Sequence, residues 1–172
     1  MPRLFFALWP DDTTREKLAA VADRLAPDCG RKVSKQNLHI TLAFLGNVED
    51  SCLHGLLAGV TGIHADNFSL RLDTIGCWKR PRILWLAPST IPAAVSRLVS
   101  MLNACLKEAG FQLEDRPYRP HLTLARKVVK QASELDFEPI QWNISHFSLI
   151  ESNTLSEAVK YSVRNSWPLH PG

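Results

Sequence analysis

The sequence has no Cys-x-x-Cys pair and no cluster of cysteine and histidine at zinc-ligand spacing. Its four cysteines, Cys29, Cys52, Cys77 and Cys105, are scattered, which suits a reducing compartment and excludes a disulfide-stapled scaffold. No apolar stretch is long enough to span a bilayer. The apolar run Leu4-Phe-Phe-Ala-Leu-Trp9 is too short for a signal-peptide core. A cytoplasmic protein with no membrane association is therefore expected. Blocks of like charge are also missing, and the net charge is only +3 with a pI near 8.8. That excludes a strongly basic nucleic-acid arm and remains compatible with a phosphate-bearing partner. There is no Gly-x-x-x-x-Gly-Lys loop to activate a nucleotide, no low-complexity segment and no long linker.

What is present is ordinary globular material: 172 residues, 45% hydrophobic and 22% charged. That length predicts one compact domain over residues 1–172, or two small lobes sharing one core. Residues 3–9 read as a buried strand, followed by a helix cap at Asp11-Asp12-Thr13 and a helical stripe of Leu18, Val21, Ala22 and Leu25. Residues 38–45 alternate as a strand. Leu53, Leu56, Leu57 and Val60 form a second helical stripe ending near Gly62, and residues 67–77 alternate again. Residues 83–86 make a short strand, and residues 91–109 the longest amphipathic helix, with Gly110 at its end. Residues 121–127 read as a strand, 128–138 as a polar loop or short helix. Two late strands are expected over 140–151 and 157–165, with a turn near Ser152-Asn153-Thr154. Strands grouped between helices favour an α+β fold with largely antiparallel sheets. The order strand, helix, strand occurs twice, over 3–45 and 82–127, and suggests two pseudo-equivalent lobes.

One motif recurs with that order. Leu38-His39-Ile40-Thr41-Leu42 and Pro120-His121-Leu122-Thr123-Leu124 share the pattern His-apolar-Thr-apolar. Alternation along a strand puts His39 and Thr41 on one face and Leu38, Ile40 and Leu42 on the other, and treats His121 and Thr123 alike. A single match arises by chance in roughly one chain of this length in a hundred. Two matches, each late in a strand–helix–strand unit, are far rarer.

Paired histidines and hydroxyls suit phosphoester chemistry without a metal. A base must deprotonate the nucleophile and an acid must protonate the departing oxygen; histidine does both near neutral pH. Threonine hydroxyls can donate to the non-bridging oxygens as negative charge accumulates there. A zinc site built on His39 and His121 is disfavoured, since threonine is a poor ligand and neither strand supplies a third.

These motifs resemble the two-histidine (2H) phosphoesterase superfamily. Several segments look like its bacterial and archaeal RNA 2′,3′-cyclic phosphodiesterases, also called 2′-5′ RNA ligases: Arg3-Leu-Phe-Phe-Ala-Leu, Leu38-His-Ile-Thr-Leu-Ala-Phe-Leu-Gly46, Pro81-Arg-Ile-Leu-Trp85 and Arg116-Pro-Tyr-Arg-Pro-His-Leu-Thr-Leu-Ala-Arg126, then Glu151-Ser152, Tyr161 and Trp167-Pro-Leu. The C-terminal segment Ala158-Val159-Lys160-Tyr161 departs from the pattern, lacking the glycine common before the last strand. The resemblance implies a bilobal fold of pseudo-two-fold symmetry, with antiparallel sheets lining a cleft and helices outside. It implies cleavage of the P–O3′ bond of a cyclic phosphate RNA end, such as a tRNA fragment, to leave a 2′-phosphate. No cofactor or metal is implied, nucleotides are further potential ligands, and a monomer is expected. By analogy His39 protonates the leaving 3′-oxygen and His121 activates water, although near-identical motifs do not themselves assign the roles. The resemblance also implies a phosphate contact for Arg126 and a base contact for Phe44. Strict alternation puts both on the buried face, so a bulge or strand end is needed to turn them outward.

Other candidates are weaker. Lys79, Arg80, Arg82, Arg116 and Arg119 suit either an RNA groove or a solvated surface. Trp9 and Trp85 are expected in the core, and Trp78, beside the basic residues, is the tryptophan most suited to base stacking. His54, His64, His146 and His170 have no motif context. Two alternative functions stand beside hydrolysis: ligation by a 5′-hydroxyl attacking the same cyclic phosphate, and a non-catalytic RNA-end-binding module.

Overall fold

Two strands meet in the middle of one large sheet, each carrying the threonine of a His-x-Thr motif and beginning just after its histidine, so that the strands expected over 38–45 and 121–127 start at Ile40 and Leu122. The computed structural model describes residues 1–129, 135–154 and 159–172. The chain runs β1 (Arg3–Leu8), α1 (Asp12–Asp23), β2 (Arg31–Lys32), a 3-10 turn (Lys35–Asn37), β3 (Ile40–Asn47), α2 (Asp50–Thr61), β4 (Phe68–Leu72) and β5 (Thr74–Trp78). It continues with β6 (Ile83–Ala87), α3 (Ala93–Glu108), β7 (Leu122–Arg126), β8 (Ile140–Ile144), β9 (His146–Thr154) and β10 (Val159–Pro168). The large sheet has the order β10-β9-β1-β3-β7-β6-β5, with β2 beside β7, and β4 and β8 form a separate pair. All pairings between these strands are antiparallel. The fold is the expected α+β.

The repeated order is visible in space. β1 pairs with β3 as β6 pairs with β7, and each pair is linked through a helix, α1 or α3. The two halves join where Ile40 of β3 lies opposite Leu122 of β7. Local signals explain the helix ends. The Asp11 carboxylate caps α1 by accepting from the Thr14 amide at 2.7 Å, and Gly62 closes α2. Gly110, just past α3, takes φ of +84°, a conformation that costs a β-carbon-bearing residue more.

Leu38, Ile40, Leu42, Leu122 and Leu124 join Leu18, Val21, Val95, Leu98 and Leu102 of the helices in one apolar cluster. Burying each such side chain contributes about 1.5–3 kcal/mol before entropy, so this face fixes the strand register. On the opposite face of β1, Phe5 and Ala7 form a small second cluster with Ile150, Trp9 and Tyr161. The face that carries the histidines is thus walled by aromatics rather than left flat.

Two expected strands each divide in two. The run 67–77 breaks at Asp73 into β4 and β5, and the run 140–151 breaks at Ser145 into β8 and β9. Each break sends one piece to the small sheet and the other to the large one. At Asp73 the carboxylate accepts from the Ser89 amide and hydroxyl, both at 2.8 Å, which fixes the corner. The turn expected at Ser152–Thr154 is instead the end of β9. Residues 130–134 of the expected polar loop, and Ala158 of the unusual C-terminal segment, lie outside the described residues.

Candidate active site

The single pairing of Ile40 with Leu122 sets the geometry. The residues that flank this pair on either strand are His39 and Thr41, and His121 and Thr123, which by alternation lie on the face away from the leucine-rich core. The two imidazoles are close enough for the charge of His121 to act on His39.

Both rings are anchored in the same way. His39 Nδ1 lies 2.6 Å from the Asn37 carbonyl, and His121 Nδ1 lies 2.9 Å from the Arg119 carbonyl. A carbonyl only accepts, so Nδ1 carries the proton in each case, and the neutral ring presents a bare Nε2. In His39 that Nε2 lies 3.1 Å from Thr41 Oγ1. In both rings a main-chain oxygen holds Nδ1, which leaves Nε2 as the nitrogen for chemistry.

The surroundings of the two rings differ. His39 is packed by Phe5, Trp9 and Tyr161, with ring centroids at 4.9, 5.8 and 5.2 Å. Burial lowers its pKa to about 4, and the charges of Arg126, His121 and Arg15 act in the same direction against the carbonyl of Asn37. His121 meets Trp78 edge-on at 4.6 Å and has its pKa lowered by burial, with Arg116 and Arg126 adding to the effect. Arg126 acts on both imidazoles, which places its charge at the site. All of these shifts favour neutral rings.

The structure supplies the bulges needed to turn Phe44 and Arg126 outward. The β1–β3 register skips Leu42, so that Leu42 and Ala43 are both buried and Phe44 is 48% exposed. The β6–β7 register skips Leu124 in the same way, burying Leu124 and Ala125 and exposing Arg126. Leu124's carbonyl is satisfied from outside the ladder by the Val33 amide at 2.8 Å. The Phe44 ring carries the Arg3 guanidinium at 5.0 Å.

Some residues stand apart from the expectations. Trp9 is not a core residue; it is half-buried and stacks on His39, because β1 ends there and the ring falls on the histidine face. Trp85 is half-buried too, lying against Gly76, where a β-carbon would come within 2.3 Å of its ring. Trp78 bridges Trp85 and His121. Lys79, Arg80, Arg82, Arg116 and Arg119 are all exposed. His64 and His170 contact one another at an exposed position, with 3.3 Å between ring nitrogens. Among the described residues no three His, Cys, Asp or Glu side chains converge as a metal-ligand set.

Sequence reading passed over two residues near the motifs. Tyr118 donates to the Thr41 carbonyl at 3.0 Å, tying the segment before β7 to β3 across the join, and burial pushes its pKa up. Arg15 of α1 is 8% exposed and donates to main-chain carbonyls before His39. The one signal for Arg15 was a charge on the apolar stripe of α1.

The LigT-like phosphoesterase family model matches this chain twice, over residues 8–85 and 86–161. The chain belongs to the LigT-like phosphoesterases. Each match takes in one His-x-Thr motif, in keeping with the repeated halves. The RNA 2′,3′-cyclic phosphodiesterase of Escherichia coli K12 is 33% identical over 172 residues, covering 97% of this chain and 96% of that protein. The enzyme of the same name from Archaeoglobus fulgidus is 31% identical over 128 residues, 72% of each chain. Among solved structures, E. coli LigT without ligand superposes with a TM-score of 0.88 at 31% identity, covering 98% of both chains. E. coli LigT with 3′-AMP gives 0.87 at 31% identity, covering 98% of this chain and 99% of that one.

Proposed function

We propose that this phosphoesterase hydrolyses RNA 2′,3′-cyclic phosphate ends to 2′-phosphates without a metal, with His39 and His121 as the acid–base pair. The observation that carries the reading is the matched anchoring of the two rings: each Nδ1 is bound to a carbonyl two residues back, so that Nε2 is the nitrogen left for proton transfer in both, with the Thr41 hydroxyl beside that of His39. A phosphorus held between them receives water from one side and releases the 3′-oxygen on the other.

His121, neutral, takes a proton from water as the new P–O bond forms. His39, protonated, gives its proton to O3′ as the P–O3′ bond breaks, and the phosphate stays on the 2′-oxygen. This division of roles follows the family analogy. Thr41 and Thr123 donate to the non-bridging oxygens, where charge accumulates, and Arg126 neutralises it. Phe44 offers a face to the terminal base. A bound anionic phosphodiester favours the charged imidazole and raises the pKa of His39 from its value of about 4. The names of the E. coli and A. fulgidus relatives, and the 3′-AMP bound by E. coli LigT, support an RNA end as substrate, with tRNA fragments one source.

Digestion of a 2′,3′-cyclic-phosphate oligonucleotide in excess chelator, with 2′- and 3′-phosphate products resolved, tests this. The expected product is the 2′-phosphate. A 3′-phosphate, or activity lost to the chelator and restored by metal, would sink it. A 5′-hydroxyl RNA added to the same digest separates hydrolysis from ligation.

A further inference from the structure

Arg15 is a charged side chain taken almost wholly into the protein, with 8% of its surface exposed. No carboxylate lies within ion-pair distance of it among the described residues. Its partners are main-chain oxygens. Nη1 donates to Lys35 at 3.0 Å, to Gln36 at 3.1 Å and, more weakly, to Leu38 at 3.4 Å. Nη2 donates to Pro10 at 3.0 Å, where β1 gives way to α1. A planar fork of donors suits such a set of carbonyls, and a buried guanidinium without partners would be costly.

Those contacts have a pattern. In the four-residue run Lys35–Leu38, immediately before His39, Arg15 takes the carbonyls of 35, 36 and 38. The remaining carbonyl, Asn37, is the one that receives His39 Nδ1 at 2.6 Å. The Asn37 side chain is held as well, donating to the Val159 carbonyl at 2.7 Å. Arg15 also lies 5.0 Å over the Trp9 ring, and Trp9 stacks on His39. One side chain therefore fixes both the peptide that sets the proton on His39 and the aromatic wall that sets its plane.

We propose that Arg15 is a positioning residue for His39, holding the 35–38 carbonyls so that the Asn37 oxygen alone turns to Nδ1, which fixes the ring and leaves Nε2 as the nitrogen that exchanges a proton with the substrate. The inference rests on the reading that His39 does the chemistry. It applies to one half of the site. The arginine of α3, Arg97, is exposed and approaches Asp66 at 4.0 Å, so His121 has no equivalent support from its own helix.

The test compares wild type with Arg15→Met and Arg15→Lys in the full chain. Nitrogen-15 NMR of the histidines reports which ring nitrogen is protonated, and steady-state kinetics on a 2′,3′-cyclic-phosphate oligonucleotide separates kcat from KM. In Arg15→Met, His39 is expected to populate both tautomers while His121 keeps the Nδ1–H form. Its kcat should fall by about 10–100-fold, the usual effect of losing a group that orients a functional histidine, with KM moving less than about threefold. Arg15→Lys retains charge and some donors and should recover part of the loss; should Arg15→Met not fold, this variant carries the test. An unchanged tautomer, or an unchanged kcat, in a folded variant overturns the proposal. Absence of turnover in wild type would instead remove the hydrolytic reading, and the tautomer would still decide whether Arg15 sets the ring.

Discussion

Phe44 and Arg126 occupy corresponding places in the two halves, each two residues beyond a leucine skipped by the strand register, Leu42 in one and Leu124 in the other. The repeat thus extends past the histidines and threonines. On the proposed reading it gives the site one aromatic and one cationic edge at matched positions, which suits a ligand with a base at one end and a phosphate at the other.

Those two edges should separate kinetically. Phe44→Ala should raise KM several-fold with kcat little changed, since a base contact acts alike on ground and transition states. Arg126→Gln should lower kcat by about 10²-fold, because the charge it neutralises grows toward the transition state. Arg126 is exposed, so thermal stability should stay near wild type. Equal effects of the two substitutions on KM alone would contradict the division.

Each threonine should matter to kcat without being needed for folding. Thr41→Ala and Thr123→Ala are expected to lose about 10- to 10³-fold, and the serine variants to keep most activity. Serine and alanine variants of equal, low activity would show that the hydroxyl is not the working part.

The pH dependence follows from lowered histidine pKa values. One ring must be neutral and the other charged, so kcat/KM should be bell-shaped, with its centre below 6.5, the ordinary histidine value. Bound phosphate raises both pKa values, so the kcat optimum should lie at higher pH than that of kcat/KM. A flat profile between pH 5 and 9 would count against paired acid–base catalysis.

The same shift acts on stability. The unfolded chain protonates His39 near 6.5 and the folded one near 4, so between these values the unfolded state binds more protons. Stability should therefore be full above pH 6.5 and fall as pH drops toward 4, by about 3 kcal/mol at most from this group. Urea melts at pH 7 and 4.5 should show a smaller acid loss in His39→Gln than in wild type.

Gly76 tests the support beneath the second histidine. A β-carbon there meets the Trp85 ring at 2.3 Å, and Trp85 packs against Trp78, which touches His121. Gly76→Ala should cost about 1–3 kcal/mol and lower activity by more than the unfolded fraction accounts for. Wild-type activity with intact stability would show that the Trp85 wall is loose.

Much of this was legible in the sequence because it is local. Alternation around His39 and His121, the helical stripes and the repeated order each depend on residues near one another in the chain. The division of 67–77 and 140–151 was not legible, since alternation reports which face a residue takes and not which sheet it joins. The bulges at Leu42 and Leu124 leave no compositional trace; only the outward turn of Phe44 and Arg126 demanded them. Arg15 was hidden for a similar reason: its partners are carbonyls of a turn remote in sequence, and carbonyls have no side-chain signature.

The measurement that bears most directly on the paired site is single-turnover cleavage of a 2′,3′-cyclic-phosphate oligonucleotide by wild type, His39→Ala, His121→Ala and the double variant, all in chelator. Two rings acting as one unit predict a loss of at least about 10³-fold in each single variant, with the double variant scarcely worse than either. Turnover that survives either single substitution near the wild-type rate, or losses that multiply in the double variant, would contradict it.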